Sequence, residues 1–80
     1  MIFVMEPPPQ YVHPYRGPLV EHVLPLAKAR ALCAKRGLTA DACSWIKDGK
    51  CYIVIPTGGP VKQLAPYRRH EIAHCNGWRH

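Results

Sequence analysis

Cys43-Ser44-Trp45-Ile46-Lys47-Asp48-Gly49-Lys50-Cys51-Tyr52-Ile53-Val54-Ile55-Pro56 is the stretch on which the fold turns. Two β-prone runs flank Asp48-Gly49, and Asp-Gly is a strong hairpin signal because a type I′ turn needs positive φ at both central residues. A two-residue turn sets Ile46 opposite Cys51, Trp45 opposite Tyr52 and Cys43 opposite Val54. Side chains alternate along a strand, so Cys43 and Cys51 fall on opposite faces of the sheet and cannot bond to each other.

Towards the N-terminus, Val23, Leu24, Leu26, Ala27, Ala29, Ala31, Leu32 and Cys33 fit one broad helical face, which predicts a helix over 21–36. Pro25 is placed in its first turn, and Gly37 supplies a stop. Glu6 to Pro18 holds Pro7, Pro8, Pro9, Pro14 and Pro18 and reads as a non-helical connector, preceded by a short apolar run over 1–5 that suits a strand. Towards the C-terminus, Gly58-Gly59-Pro60 marks a loop. A last helix is expected from about Pro66 to Cys75 or Asn76, with Gly77 as the residue that lets the chain turn back. The expectation is one α+β domain over 1–80: an N-terminal strand and connector in 1–20, and in 21–80 a core of helix, antiparallel hairpin and C-terminal helix.

Eighty residues bury a small core, so a metal, disulfides or a partner is needed as a staple. Apolar residues at 48% are too many for a chain disordered along its length. Eleven Lys and Arg against five Asp and Glu give +6, which suits nucleic acid or another acidic surface, but the charges are dispersed and only Lys35-Arg36 and Arg68-Arg69 are adjacent. No window approaches the ~18 apolar residues of a membrane span. Met1-Ile2-Phe3-Val4-Met5 has no basic n-region and runs into Glu6-Pro7, so it does not read as a secretory signal and the expected location is cytoplasmic.

The chemistry is concentrated in His70-Glu71-Ile72-Ala73-His74-Cys75-Asn76-Gly77-Trp78-Arg79-His80, an HExxHxxGxxH pattern. At this composition the fixed positions would recur by chance on the order of once in twenty thousand such chains. On a helix, His70 and His74 lie one turn apart and about 40° off one line, so both imidazoles reach the same ion. Hydrolytic zinc sites need three protein ligands, an open fourth position and a base close by. Glu71 is the candidate base, and His80 the third ligand if the chain folds back at Gly77. Asp41 and Glu21 are the substitutes for His80 in that role. A structural zinc site completed by Cys75 is the competing arrangement, although Cys75 lies about 100° round the helix from His74.

The pattern resembles the zinc-binding signature of the metzincin clan of metallopeptidases, within the wider zincin fold. The resemblance implies His70, His74 and His80 as Zn²⁺ ligands, Glu71 as general base and acid, and Gly77 as the turn. The order of helix, antiparallel hairpin and active-site helix is similar too. It further implies a polypeptide substrate laid along residues 43–47 as an edge strand, with 51–55 as the inner strand flanked by 1–5. Metzincins also carry a methionine turn after the third ligand, whereas the methionines here are Met1 and Met5. The stretch Arg69 to Trp78 is also similar to short bacterial and phage proteins that carry an Arg-His-Glu-Ile-x-His-Cys-Asn-Gly-Trp run. For an oxyanion donor the candidates are Tyr67, His13 and Trp78.

Cys33, Cys43, Cys51 and Cys75 show no C-x-x-C spacing. They are either reduced and buried in the cytosol or paired in an oxidising compartment. The hairpin separates Cys43 from Cys51, and the nine-residue gap favours Cys33–Cys43, which leaves Cys51–Cys75; if so paired, the protein would be secreted or periplasmic. Three readings follow: a zinc-dependent metallopeptidase, a non-catalytic zinc-stabilised binding or regulatory module, and a nucleic-acid binder using the +6 surface.

Overall fold

Asp48 and Gly49 both adopt positive φ, 54° and 78°, the pair of conformations a type I′ turn requires. They join β2 (Cys43–Lys47) to β3 (Lys50–Thr57) in the expected antiparallel register, with Cys43 opposite Val54, Trp45 opposite Tyr52 and Ile46 opposite Cys51. The computed structural model describes residues 4–58 and 64–80. Around the hairpin the chain builds β1 (Leu19–Pro25), α1 (Leu26–Lys35) and α2 (Ala65–Cys75), an α+β fold with strand order β1-β3-β2.

The central strand explains the layering. Ile53, Val54 and Ile55 in β3 are completely buried, as expected of a strand covered on both faces. Cys51, Ile53 and Ile55 pack with Tyr67 and Cys75 of α2. Val54, with Cys43, packs against Ala29 and Cys33 of α1 on the opposite face. Each buried aliphatic side chain contributes about 1.5–3 kcal/mol, so this short strand carries much of the core.

The helix expected over 21–36 is corrected: residues 19–25 form β1, parallel to β3 from Leu19 opposite Cys51 to Pro25 opposite Thr57. Exposure alternates strictly along β1, and Cys51 N–H already donates to the Pro18 carbonyl at 2.9 Å where the pairing starts. The free edge of β3 offers a whole ladder of backbone bonds, which outweighs one additional helical turn over Glu21–Leu24. Pro25, extended at φ −51° and ψ 146°, is the residue before the helix and not part of its first turn.

The other corrections concern the N-terminal segment. The flanking strand is β1, not residues 1–5; residues 1–3 lie outside the described residues, and Val4 and Met5 pair with no strand. Val4 packs on the core beneath α2, and the Met5 carbonyl accepts from His70 Nδ1 at 2.8 Å. The connector, expected to lack helix, holds one 3₁₀ turn at Pro9–Tyr11, which begins at a proline already set near the required φ. It then runs beside α2, where Asn76 Nδ2 donates to the carbonyls of Tyr11 and His13 at 3.0 and 2.6 Å. Part of the Gly58-Gly59-Pro60 loop falls outside the described residues. The last helix matches its expected limits within a residue.

Disulfides Cys33–Cys43 and Cys51–Cys75, each with Cα atoms 5.9 Å apart, leave no free cysteine. One ties α1 to β2, the other β3 to the end of α2. Replacing Cys51 and Cys75 together with alanine is expected to cost about 2–4 kcal/mol in urea unfolding, and roughly 1 kcal/mol more than the Cys33/Cys43 double replacement, because the loop it closes is longer.

Candidate metal centre and cleft

The last turn of α2 ends in a Schellman arrangement: Gly77 N–H donates to the His74 carbonyl at 3.0 Å and Trp78 N–H to the Ala73 carbonyl at 3.1 Å. Gly77 has φ 102°, a conformation in which a side chain is strained. The reversal carries Trp78 and His80 back over His70 and His74.

The histidine nitrogens converge. His70 Nε2 lies 3.1 Å from His74 Nε2, which lies 3.1 Å from His80 Nε2, and all three rings place a ligand atom within 4.8 Å of one another. The opposite nitrogens of two rings are committed. His70 Nδ1 faces the Met5 carbonyl at 2.8 Å and His74 Nδ1 the Trp78 carbonyl at 2.7 Å. A carbonyl only accepts, so each Nδ1 carries the proton and each Nε2 presents a lone pair. Two lone pairs 3.1 Å apart repel; in neutral rings this is not a hydrogen bond. A cation between them relieves the repulsion, and an outer carbonyl on the far nitrogen is the usual support of a metal-binding histidine. The donor set therefore fits a metal ion.

Trp78 locks the rings in place. It is buried at 7% exposure, stacks on His74 at 4.9 Å and 12°, and meets His70 and His80 at 4.9 and 4.6 Å. Burial, followed by the charges of His70 and His80, lowers the His74 pKa, while the Trp78 carbonyl acts against that shift. A neutral ring is the form that binds metal.

Glu71 is 5% exposed and borders a cleft of about 550 Å³ between β2 and α2. Burial pushes its carboxyl up to about 7, against the Ser44 hydroxyl, which favours the ionised form. Ser44 escaped the sequence reading although the hairpin register contained the signal: with Cys43 and Trp45 turned towards α1, Ser44 must face α2. The carbonyls of Met5 and Trp78 had no signal in side-chain chemistry.

The remaining candidates separate clearly. Asp41 is paired with Arg30 at 2.6 Å and Glu21 with Arg68 at 2.6 Å, so neither replaces His80. Cys75 is bonded to Cys51 and offers no thiolate, which removes the structural site that included it. Tyr67 is buried with its hydroxyl unpartnered among the described residues, and it borders a smaller cavity of about 210 Å³ that reaches His70 and Glu71. Burial raises its pKa, so it stays protonated. His13 is exposed, turned to the Pro14 carbonyl, and lines neither cavity.

Fold and site together define a small, doubly disulfide-bonded α+β protein with a three-histidine cluster beside a buried carboxyl. No family model, curated protein or solved structure matches the chain. Among the described residues no helix is long and apolar enough to cross a membrane.

The Glu71 shift has a thermodynamic consequence. With its folded pKa raised from 4.5 to about 7, the folded protein holds a proton that the unfolded chain releases earlier. The stability this gives is complete below about pH 4.5 and is lost as pH rises through about 7, by about 3 kcal/mol in the metal-free protein. His74, with a lowered pKa, works in the opposite sense: its contribution is lost as pH falls below its ordinary 6.5. Urea unfolding of metal-free protein from about pH 5 to 8 should show the Glu71 decline, and Glu71→Gln should abolish it while the His74 rise persists.

Proposed function

We propose that the chain is a zinc-dependent metallopeptidase of zincin type, with His70, His74 and His80 as the ligands and Glu71 as the general base. The observation that carries the reading is the convergence of three imidazole Nε2 atoms, two of them pinned in the ligating tautomer by carbonyls, beside a buried carboxyl on an open cleft. Three imidazoles with an open position suit zinc, which supplies Lewis acidity towards a carbonyl oxygen and acidifies water to a pKa near ~7.

The chain's own residues account for the rest. Glu71 accepts a proton from the attacking water and returns it to the leaving amine. Burial pushes its carboxyl up, whereas the Ser44 hydroxyl, and a cation bound at the three histidines, favour the ionised form that acts as base. β2 is a sheet edge, and its unpaired backbone groups offer an extended polypeptide a strand to pair with. Tyr67 is the candidate donor to the developing oxyanion, as a protonated phenol left without a partner among the described residues. Two disulfides favour a secreted or periplasmic protein, since such bonds persist in oxidising compartments.

Metal analysis of the purified protein should find about one zinc per chain. His80→Ala should weaken zinc binding by more than the roughly 10–100-fold typical of losing an outer-shell partner. Unchanged affinity would remove His80 from the ligand set.

An unfolded protein such as reduced casein should be cut by the zinc-loaded protein, with Glu71→Gln lowering kcat/KM about 10²–10⁴-fold at intact zinc content. Equal cutting by both, or none by either, eliminates the peptidase; in that case stoichiometric zinc leaves the non-catalytic binding module.

A further inference from the structure

The charges are distributed unevenly with respect to the cleft. Glu6, Glu21 and Asp41 are paired with Arg69, Arg68 and Arg30. Glu71 is buried, and it is the only side-chain carboxylate among the described residues lining the main cleft. Arg79 lines the same cleft, is exposed, and has no ion pair among the described residues. The Lys47–Lys50 cross-strand pair and the Arg36 guanidinium, 4.5 Å over the Trp45 ring, lie on the α1 side of the sheet and outside the cleft lining. Ile46, at 56% exposure, gives the β2 edge of the cleft an apolar contact. A cation at the three histidines makes the cleft more positive still.

We propose that Arg79 is a specificity-determining residue that binds a carboxylate of the polypeptide in the cleft. Calling that polypeptide a substrate rests on the peptidase reading, but the carboxylate preference does not. A guanidinium offers a planar fork of donors that matches a carboxylate, which makes this contact directional as well as attractive. The carboxylate has two sources in a polypeptide, an acidic side chain or the chain terminus. Nucleic acid is the less suitable occupant: the cleft is lined by the apolar Ile46 and by a sheet edge as well as by Arg79, which favours a peptide backbone over a phosphate track.

The test is fluorescence anisotropy with full-length Glu71→Gln protein, one equivalent of zinc, and labelled peptides of one neutral sequence: amidated, with a free C-terminus, amidated with one Glu, and amidated with one Lys. The expected result is at least about tenfold tighter binding of a carboxylate-bearing peptide than of the neutral amidated one. Improvement by the free terminus or by the Glu peptide identifies the source. Arg79→Gln should remove the difference, with circular dichroism and zinc content confirming that the variant is folded. Equal binding of all peptides overturns the proposal, as does a preference that persists in Arg79→Gln. So does tighter binding of a single-stranded oligonucleotide that is lost on the same substitution. If wild-type protein cuts none of these peptides while the carboxylate preference holds, the peptidase reading falls and the Arg79 assignment stands.

Discussion

The bond from Trp78 N–H back to the Ala73 carbonyl, closed over Gly77, is the constraint on which the site depends. Without that reversal the chain would leave α2 along its axis and His80 could not return to His70 and His74. The same turn places the Trp78 carbonyl against His74 Nδ1 and its indole against all three imidazoles. One backbone conformation at Gly77 thus sets a tautomer, holds three rings and delivers the third histidine.

That turn needs a rigid base, which a chain of eighty residues obtains with difficulty. The structure concentrates its staples next to the cleft. Cys51–Cys75 anchors the end of α2 to the central strand one residue after His74, and Cys33–Cys43 anchors the start of the edge strand one residue before Ser44. Asn76 bonds the connector through its side chain. The three surface ion pairs add little by comparison, since exposed pairs are worth about 0–1 kcal/mol. The covalent links therefore brace the same few residues that could hold a metal ion.

Local signals were legible wherever one short stretch sufficed to specify a conformation. Asp48-Gly49 announced its turn and hence the register, which in turn separated Cys43 from Cys51 and left the pairings that the structure contains. The last helix was equally plain. The reading failed at residues 19–25, where Val23, Leu24 and Leu26 satisfy a helical period as readily as an alternating one. What decided between them was the vacant edge of β3, thirty residues away in the chain, and nothing in the local pattern reports it.

The sequence by itself determined the hairpin, the last helix and the identity of the convergent side chains, because turn chemistry and helical spacing act over a few residues. Only the tertiary structure decided which proton each histidine carries, that Glu71 is held near neutrality, and that Ser44 stands over it. Those properties come from carbonyls and burial contributed by distant segments, Met5 and β2 among them. Such partners leave no trace in the spacing of the residues they act upon.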